Sequence, residues 1–367
     1  MPSRLPVRLV LAVGALVLVA APADRLAARQ ALTPATADSA VPQAPLPAAP
    51  ADGADLDPAR FAALVADLKA EAVRRGISEA VAAQAFDGLE PLPVVVQRDR
   101  GQAEAVLSID TYVRRRLTPA TIRKARRMAV AHRDVLLKAG KAYGIQPRYL
   151  VAVWGLESNF GAFTGVRPTV QALATLVFEG RRADLFRNEL FDALRIVDRG
   201  HIGLDRLKGS WAGAMGQPQF MPSSYLRYAE DFDGDGQRDI WSSHADVFAS
   251  IANYLKAYGW DGESTWGRQV RLPGAVRETM DRAGSRGEGC RAERALSRRR
   301  SLKEWHDMGV RTASGGALPV LDRPASLLDA GDRQFLVYGN YEAILGYNCA
   351  NAYALSVALL GDRITLP

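Results

Sequence analysis

The segment VAVWGLESNFGAFTG, residues 151–165, is an apolar helix-like run that ends on one acid. Val151 to Leu156 carry no charge; Glu157 follows, then Ser158, Asn159, Phe160 and Gly161. Gly161 marks a helix C-terminus, where partial negative charge gathers and disfavours a carboxylate. Trp154 and Phe160 restrict its hydration. Both effects raise a carboxyl pKa, and a carboxyl group that keeps its proton near neutral pH can act as a general acid. Taken alone, the stretch reads more simply as an ordinary surface glutamate near a helix end.

A second segment, DFDGDGQRDIWSSHAD at 231–246, offers a different chemistry. Asp231, Asp233 and Asp235 alternate before Gly236, as in the first half of an EF-hand loop. There, oxygen ligands at positions 1, 3 and 5 surround calcium and position 7, here Gln237, supplies a backbone carbonyl. The usual twelfth-position Glu is missing, because Ser242 stands there. Asp239 is a further candidate ligand. The competing reading is an Asp/Gly turn in which Asp246 caps the next helix. Sodium, or no ion at all, also stays open. Other chemistries find no support: there is no G-x-S-x-G elbow and no H-E-x-x-H pair. Two cysteines, Cys290 and Cys349, cannot make a structural zinc site by themselves. An oxidising compartment allows them to pair, which the sequence leaves open.

The elements that must position these residues are mainly helices. Asp57-Pro58 opens one, with a capping acid and a proline at the first helical position, and Gly76 ends it. Ser78 to Phe86 reads as a second. Thr118-Pro119 opens a long helix reaching about Tyr143, closed by Gly144. Pro147 starts the helix that carries Glu157. Helix signals continue through 168–198, 222–229 and 246–258. Residues 264–322 differ: Gly, Pro, Arg and short apolar alternations suggest a small β-containing insert. Residues 340–362 return to helix.

With 367 residues the chain can form more than one packed unit. The N-terminus reads as a secretory signal peptide over 1–23: basic MPSRLPVR, apolar LVLAVGALVLVA, then Ala21-Pro22-Ala23. An uncleaved anchor is the lesser reading, since the run is short for a membrane span. No cysteine follows it, so no lipobox is present. Residues 24–55, rich in Ala and Pro, read as a disordered linker. The net charge of +7 includes Arg4 and Arg8, so the chain without its first 23 residues carries +5 (7 − 2). Excess base can favour an anionic partner, but no nucleic-acid module is visible.

Three more segments narrow the reading: RPTVQALATLVFEGRRADLFRNEL at 167–190, GSWAGAMGQPQFMPSSYLRYAEDFDGDGQRDIW at 209–241, and NYEAILGYNCANAYALSVALLGDRI at 340–364. With ESNFG they resemble the B family of lytic murein transglycosylases, over roughly residues 57–365. The resemblance implies a mainly α (α+β) fold. A lysozyme-like core at about 140–260 is joined by an additional helical domain, the small β domain and a C-terminal helical return at about 326–365. It implies cleavage of the β-1,4 bond between N-acetylmuramic acid and N-acetylglucosamine in peptidoglycan without addition of water, the muramoyl C6 hydroxyl attacking its own anomeric carbon. Ordinary glycosidases need two carboxylates. Here substrate supplies the nucleophile, so Glu157 alone serves as acid and then base. No second acid occurs between Glu157 and Glu179.

The resemblance also assigns roles nearby. Ser210 matches a serine that orients the N-acetyl group, and Gln219 a polar cleft residue that bonds sugar or Glu157. Arg181 and Arg182 match an arginine pair facing glycan or peptide stem. Tyr112, Tyr254, Tyr347 and Tyr353 match aromatic cleft positions, and Asn348 an amide beside them. The chain departs from one common family form where Cys349-Ala350 follows Asn348 in place of Arg-Ser. The aspartate loop is implied to be longer than an EF-hand and closed by Asp246, with a structural calcium ion. A periplasmic monomer is expected, with peptidoglycan strands, and further cell-wall enzymes, as partners. Two other readings stay in view: a hydrolytic muramidase on the same fold, and a non-catalytic wall-binding scaffold.

Overall fold

The computed structural model describes residues 56–101, 107–274, 276 and 286–365. The expected signal peptide and Ala/Pro-rich linker lie outside the described residues. Helices α1 (Pro58–Arg74), α2 (Glu79–Phe86), α3 (Pro93–Gly101), α4 (Ile109–Arg116), α5 (Pro119–Ala131), α6 (Arg133–Tyr143) and α7 (Pro147–Ser158) come first. Strand β1 (Arg167–Pro168), helices α8 (Thr169–Glu179) and α9 (Ala183–Asp198), strand β2 (Lys208–Gly209), α10 (Pro222–Tyr228) and α11 (His244–Ala257) follow.

The expected helix from Thr118 to about Tyr143 is two helices. It breaks at His132, which has left helical geometry (φ −111°, ψ 21°). The break lets the His132 ring pack on Trp154, His244 and Phe248. Periodicity continues across this site and so conceals it. The segment 168–198 likewise splits at Gly180, whose left-handed backbone ends α8. Helices α3 and α4 are short, and no sequence signal was read for them.

Helix α7 is the centre of the molecule. Every residue from Tyr149 to Ser158 is buried, as expected of a helix that is apolar all round. Helices α5, α6 and α11 pack on it, together with α15 (Asn351–Asp362). Gly155 within it has a packing reason: a Cβ there would lie 2.4 Å from the Phe160 ring. Phe160 thereby folds back beside Trp154, edge to face at 5.6 Å between ring centres.

The late β element is larger than expected. Strands β3 (Gly267–Arg271), β4 (Arg300–Ser301), β5 (Arg311–Thr312), β6 (Pro324–Asp329) and β7 (Gln334–Val337) form one antiparallel sheet in the order β4-β6-β7-β3-β5. Helices α12 (Arg291–Arg294) and α13 (Leu302–Asp307) lie within this segment. The sheet has its own core, built from Val270, Leu302, Trp305, Val310, Leu327 and Leu336. It runs through Val337, so the expected boundaries at 322 and 326 are corrected. Residues 324–337 form a hairpin, and the helical return starts with α14 (Gly339–Tyr347). Helices α14 and α15 are bent by 118°. No single helix among the described residues is long and apolar enough to cross a membrane.

Cys290 and Cys349 form a disulfide that closes a separation of 59 residues. It joins the start of α12 to the bend between α14 and α15, beside Asn348. Constraining a loop of that length in the unfolded chain is worth about 4 kcal/mol in the chain-entropy account. Reduction, or a paired Cys290→Ser and Cys349→Ser change, is expected to lower stability by roughly that amount. Denaturant titration with and without reductant measures it.

Candidate active site

Glu157 occupies the last turn of α7 and is 3% exposed. The helix ends on Asn159, in the left-handed region at φ 52°, and Phe160 follows at φ 59°. Local bonds hold this turn: Ser158 Oγ donates to Trp154 O and accepts from Gly161 N, and Phe163 N donates to Ser158 O. Burial pushes the Glu157 carboxyl up to about 7. The Tyr353 hydroxyl and the Arg116 cation oppose that rise. Tyr353 Oη lies outside strict hydrogen-bond geometry and has no other partner among the described residues.

Three of the four tyrosines singled out in the sequence converge on the acid. Tyr353 from α15, Tyr347 from α14 and Tyr254 from α11 all interact electrostatically with Glu157. Burial holds each phenol neutral. The fourth, Tyr112 on α4, acts on Tyr353 and stands against Arg116. Tyr254 donates to Gly346 O at 2.8 Å and Tyr347 to Pro218 O at 2.7 Å, so their rings are fixed. Tyr347 thus ties α14 to the loop that carries Gln219. Asn348, 7% exposed, follows Tyr347 at the end of α14.

Ser210 sits in the turn after β2. Its Oγ accepts from Ala212 N at 3.2 Å and Ala214 N at 3.1 Å. With both lone pairs used, the hydroxyl proton can be given to an acceptor such as an amide carbonyl. Gly165, at φ +100°, lies back to back with Gly209; a Cβ there would meet the Gly209 backbone at 2.0 Å. That close approach fastens the turn after the acid to the turn of Ser210. Gln219 has a left-handed backbone (φ 52°), and its side chain donates to Gly216 O at 2.8 Å. Its neighbour Gln217, which the sequence reading passed over, makes the link to the catalytic helix. Gln217 Oε1 accepts from Trp154 Nε1 at 2.7 Å and its Nε2 donates to Trp241 O at 2.8 Å.

The arginine pair is engaged elsewhere. Asp99 on α3, 1% exposed, accepts from Arg182 Nη2, and its backbone carbonyl accepts from Arg181 Nη1 at 2.8 Å. Arg182 also stands over the Phe186 ring. No polar contact joins either arginine to Glu157 among the described residues. Asp99 carried no sequence signal, being one acid in a basic stretch. Asp99→Ala is expected to destabilise the fold by about 2–3 kcal/mol, since two cations lose a buried anion. Chemical denaturation reads this loss.

The aspartate loop brings three carboxylates together. Oxygens of Asp231, Asp233 and Asp246 lie within 4.8 Å of one another. Asp235 turns away, its Oδ1 accepting from Gln237 N at 2.7 Å. Asp239 accepts from Trp241 N and Ser242 N. Ser243, rather than Asp246, caps α11. Asp246 is fully buried and accepts from Phe232 N and Asp239 N, each at 2.7 Å. Burial, with Asp233 beside it, pushes its carboxyl up to about 6. Clustered hard oxygens of this kind fit a calcium ion.

Comparison with known proteins identifies the family. The transglycosylase SLT domain model matches residues 60–362. Membrane-bound lytic murein transglycosylase B of Escherichia coli (strain K12) is 33% identical over 264 residues, covering 70% of this chain and 67% of that protein. SltB3 from Pseudomonas aeruginosa, crystallised with NAG-anhNAM-pentapeptide, superposes with a TM-score of 0.76 at 39% identity, over 82% of this chain and 78% of that one. The Escherichia coli lytic transglycosylase Slt35 in complex with calcium superposes with a TM-score of 0.67 at 27% identity, over 82% of this chain and 92% of that one. With the match spanning nearly all the described helices and the sheet, the chain belongs to the SLT-domain transglycosylase family and is a lytic transglycosylase.

Proposed function

We propose that the enzyme cleaves the β-1,4 bond between N-acetylmuramic acid and N-acetylglucosamine and leaves a 1,6-anhydromuramoyl end, with Glu157 as the single acid and base. The observation that carries this is the buried Glu157 carboxyl, raised to about 7 and ringed by tyrosines, with no other carboxylate acting on it among the described residues. A group of that affinity is protonated in a large fraction of molecules near neutral pH, as a general acid requires. It gives its proton to the glycosidic oxygen as the bond to the muramoyl C1 breaks. The resulting carboxylate accepts the proton of the C6 hydroxyl, whose oxygen bonds to C1. No water is consumed, and the acid ends as it began. Ser210, with its proton available, orients the N-acetyl carbonyl against C1. The complex of SltB3 with NAG-anhNAM-pentapeptide supports this product and a peptide-bearing glycan as substrate.

Asp231, Asp233 and Asp246 hold a structural calcium ion in this reading, with the Slt35–calcium complex in support. The ion supplies positive charge that lets Asp246 stay ionised while buried, bracing the chain between Gln217 and α11. Peptidoglycan as substrate supports a periplasmic location in this reading.

The test is mass spectrometry of soluble fragments released from peptidoglycan by the wild-type protein and Glu157→Gln. Anhydromuramoyl ends from the first alone are expected. Reducing muramic ends would make it a hydrolase, and equal release by both would remove Glu157 from the chemistry.

A further inference from the structure

We propose that Arg116 is a positioning residue of this reaction: from the last turn of α4 it holds the end of α7 in place and lends positive charge to the ionised form of Glu157. The inference rests on Glu157 being the acid and base. Arg116 Nη2 donates to Leu156 O, the carbonyl of the peptide unit directly before the acid. The last carbonyls of a helix have no intrahelical donor and gather negative charge. A cation on one of them satisfies the acceptor and offsets the charge. The guanidinium carbon lies 6.0 Å from the centre of the Tyr112 ring, so Arg116 sits between an aromatic cleft position and the acid. Its Nε is buried with no acceptor among the described residues. An unmatched buried donor lowers stability, which a purely structural tie would not require.

The other groups facing this end of α7 do not replace it. Tyr353, Tyr347 and Tyr254 come from α15, α14 and α11, and burial keeps all three neutral. Lys124 on α5 binds the turn after the acid, donating to Asn159 O at 2.9 Å and Asn159 Oδ1 at 3.1 Å. His132 and His244 pack on Trp154, one turn earlier, and burial favours their neutral forms. Arg116 is the cation that acts on the Glu157 carboxyl. The chemistry needs such a partner. Burial alone favours the first half, in which Glu157 carries a proton, and penalises the second, in which it must persist as a buried carboxylate.

The experiment is the pH profile of turnover on peptidoglycan for the wild type, Arg116→Gln, Arg116→Lys and Glu157→Gln, each checked for folding by circular dichroism. Turnover falls at high pH as Glu157 loses its proton. Removing the cation raises the affinity for that proton, so in Arg116→Gln the alkaline limb moves up by about one pH unit. Its maximal kcat falls because Glu157, binding its proton more tightly and forming a less stable carboxylate, gives that proton up less readily, with KM little changed. Arg116→Lys keeps the charge and leaves the limb in place. An unmoved limb in Arg116→Gln overturns the proposal. If that variant does not fold, Arg116→Met, which keeps the apolar stem and removes the charge, decides: a limb raised by more than about half a unit upholds the proposal, and an unmoved limb overturns it. Activity persisting in Glu157→Gln strikes instead at the assignment of the acid, so the two failures are distinguishable.

Discussion

Glu157→Gln is expected to lower peptidoglycan cleavage by about 10³-fold and, at the same time, to make the protein more stable at neutral pH. The first effect follows from removing the group proposed to move both protons. The second follows from linkage. The carboxyl is raised from an ordinary value of 4.5 to about 7 by burial. A carboxyl raised on folding contributes stability fully below its unfolded pKa. That contribution is lost as pH rises toward the folded value. Between those values the folded state holds a proton that the unfolded chain has released, and above about 7 the loss is complete. It is on the order of 3 kcal/mol. The amide of glutamine has the shape of the protonated acid and never ionises, so it escapes this penalty. Melting curves should therefore coincide at about pH 4 and separate, with the variant higher, at about pH 8. A variant less stable than wild type at high pH would mean that the acid is not held in the buried, proton-favouring site described.

The second large effect is expected at Asp246. Asp246→Ala should destabilise the protein by about 2–4 kcal/mol, because two partly buried backbone N–H groups, of Phe232 and Asp239, lose their acceptor together. Asp246→Asn keeps one acceptor oxygen and should lose less. The same residue provides the test of calcium. Without an ion, burial and the neighbouring Asp233 raise its carboxyl from 3.8 to about 6, so stability falls as pH rises through that window. A bound divalent cation favours the ionised form and reverses the slope. The wild type should then gain melting temperature on adding calcium at neutral pH and lose that gain under a chelator, whereas Asp246→Asn should respond weakly. No response in the wild type would remove calcium from the loop and leave Asp231, Asp233 and Asp246 as a hydrogen-bonded turn.

Much of the site was legible because its residues stand close together in the chain. The apolar run into Glu157 marked a helix ending on an acid, although that stretch alone reads more simply as carrying a surface glutamate. The alternating aspartates announced an oxygen-rich loop. Proline and glycine at 147 and 161 bounded the helix nearly where it lies. The late strands were harder, since apolar runs as short as 327–328 and 335–337 fit a strand or a helix until their pairing partner is known. The break at His132 was invisible for a similar reason: helical spacing continues through it, and only the packing against Trp154 and His244 calls for it.

Arg116, Gln217 and Asp99 were missed because each acts on a residue far off in sequence. Arg116 meets a carbonyl 40 residues away, Gln217 an indole 63 away, and Asp99 a guanidinium 83 away. Arg181 and Arg182 were singled out, but their embrace of Asp99 could not be read from an Arg-Arg pair. The sequence by itself determined which helix ends on the acid, which loop gathers carboxylates, and the family that combines them. Local composition and spacing are sufficient for the helix and the loop, since capping, periodicity and turn chemistry act over a few residues, whereas the family is read from the resemblance of longer segments. Only the tertiary structure decided that Tyr254, Tyr347 and Tyr353 close on Glu157 and that Arg116 reaches it. Desolvation and Coulomb interaction depend on distance in space, and the chain must fold before that distance exists.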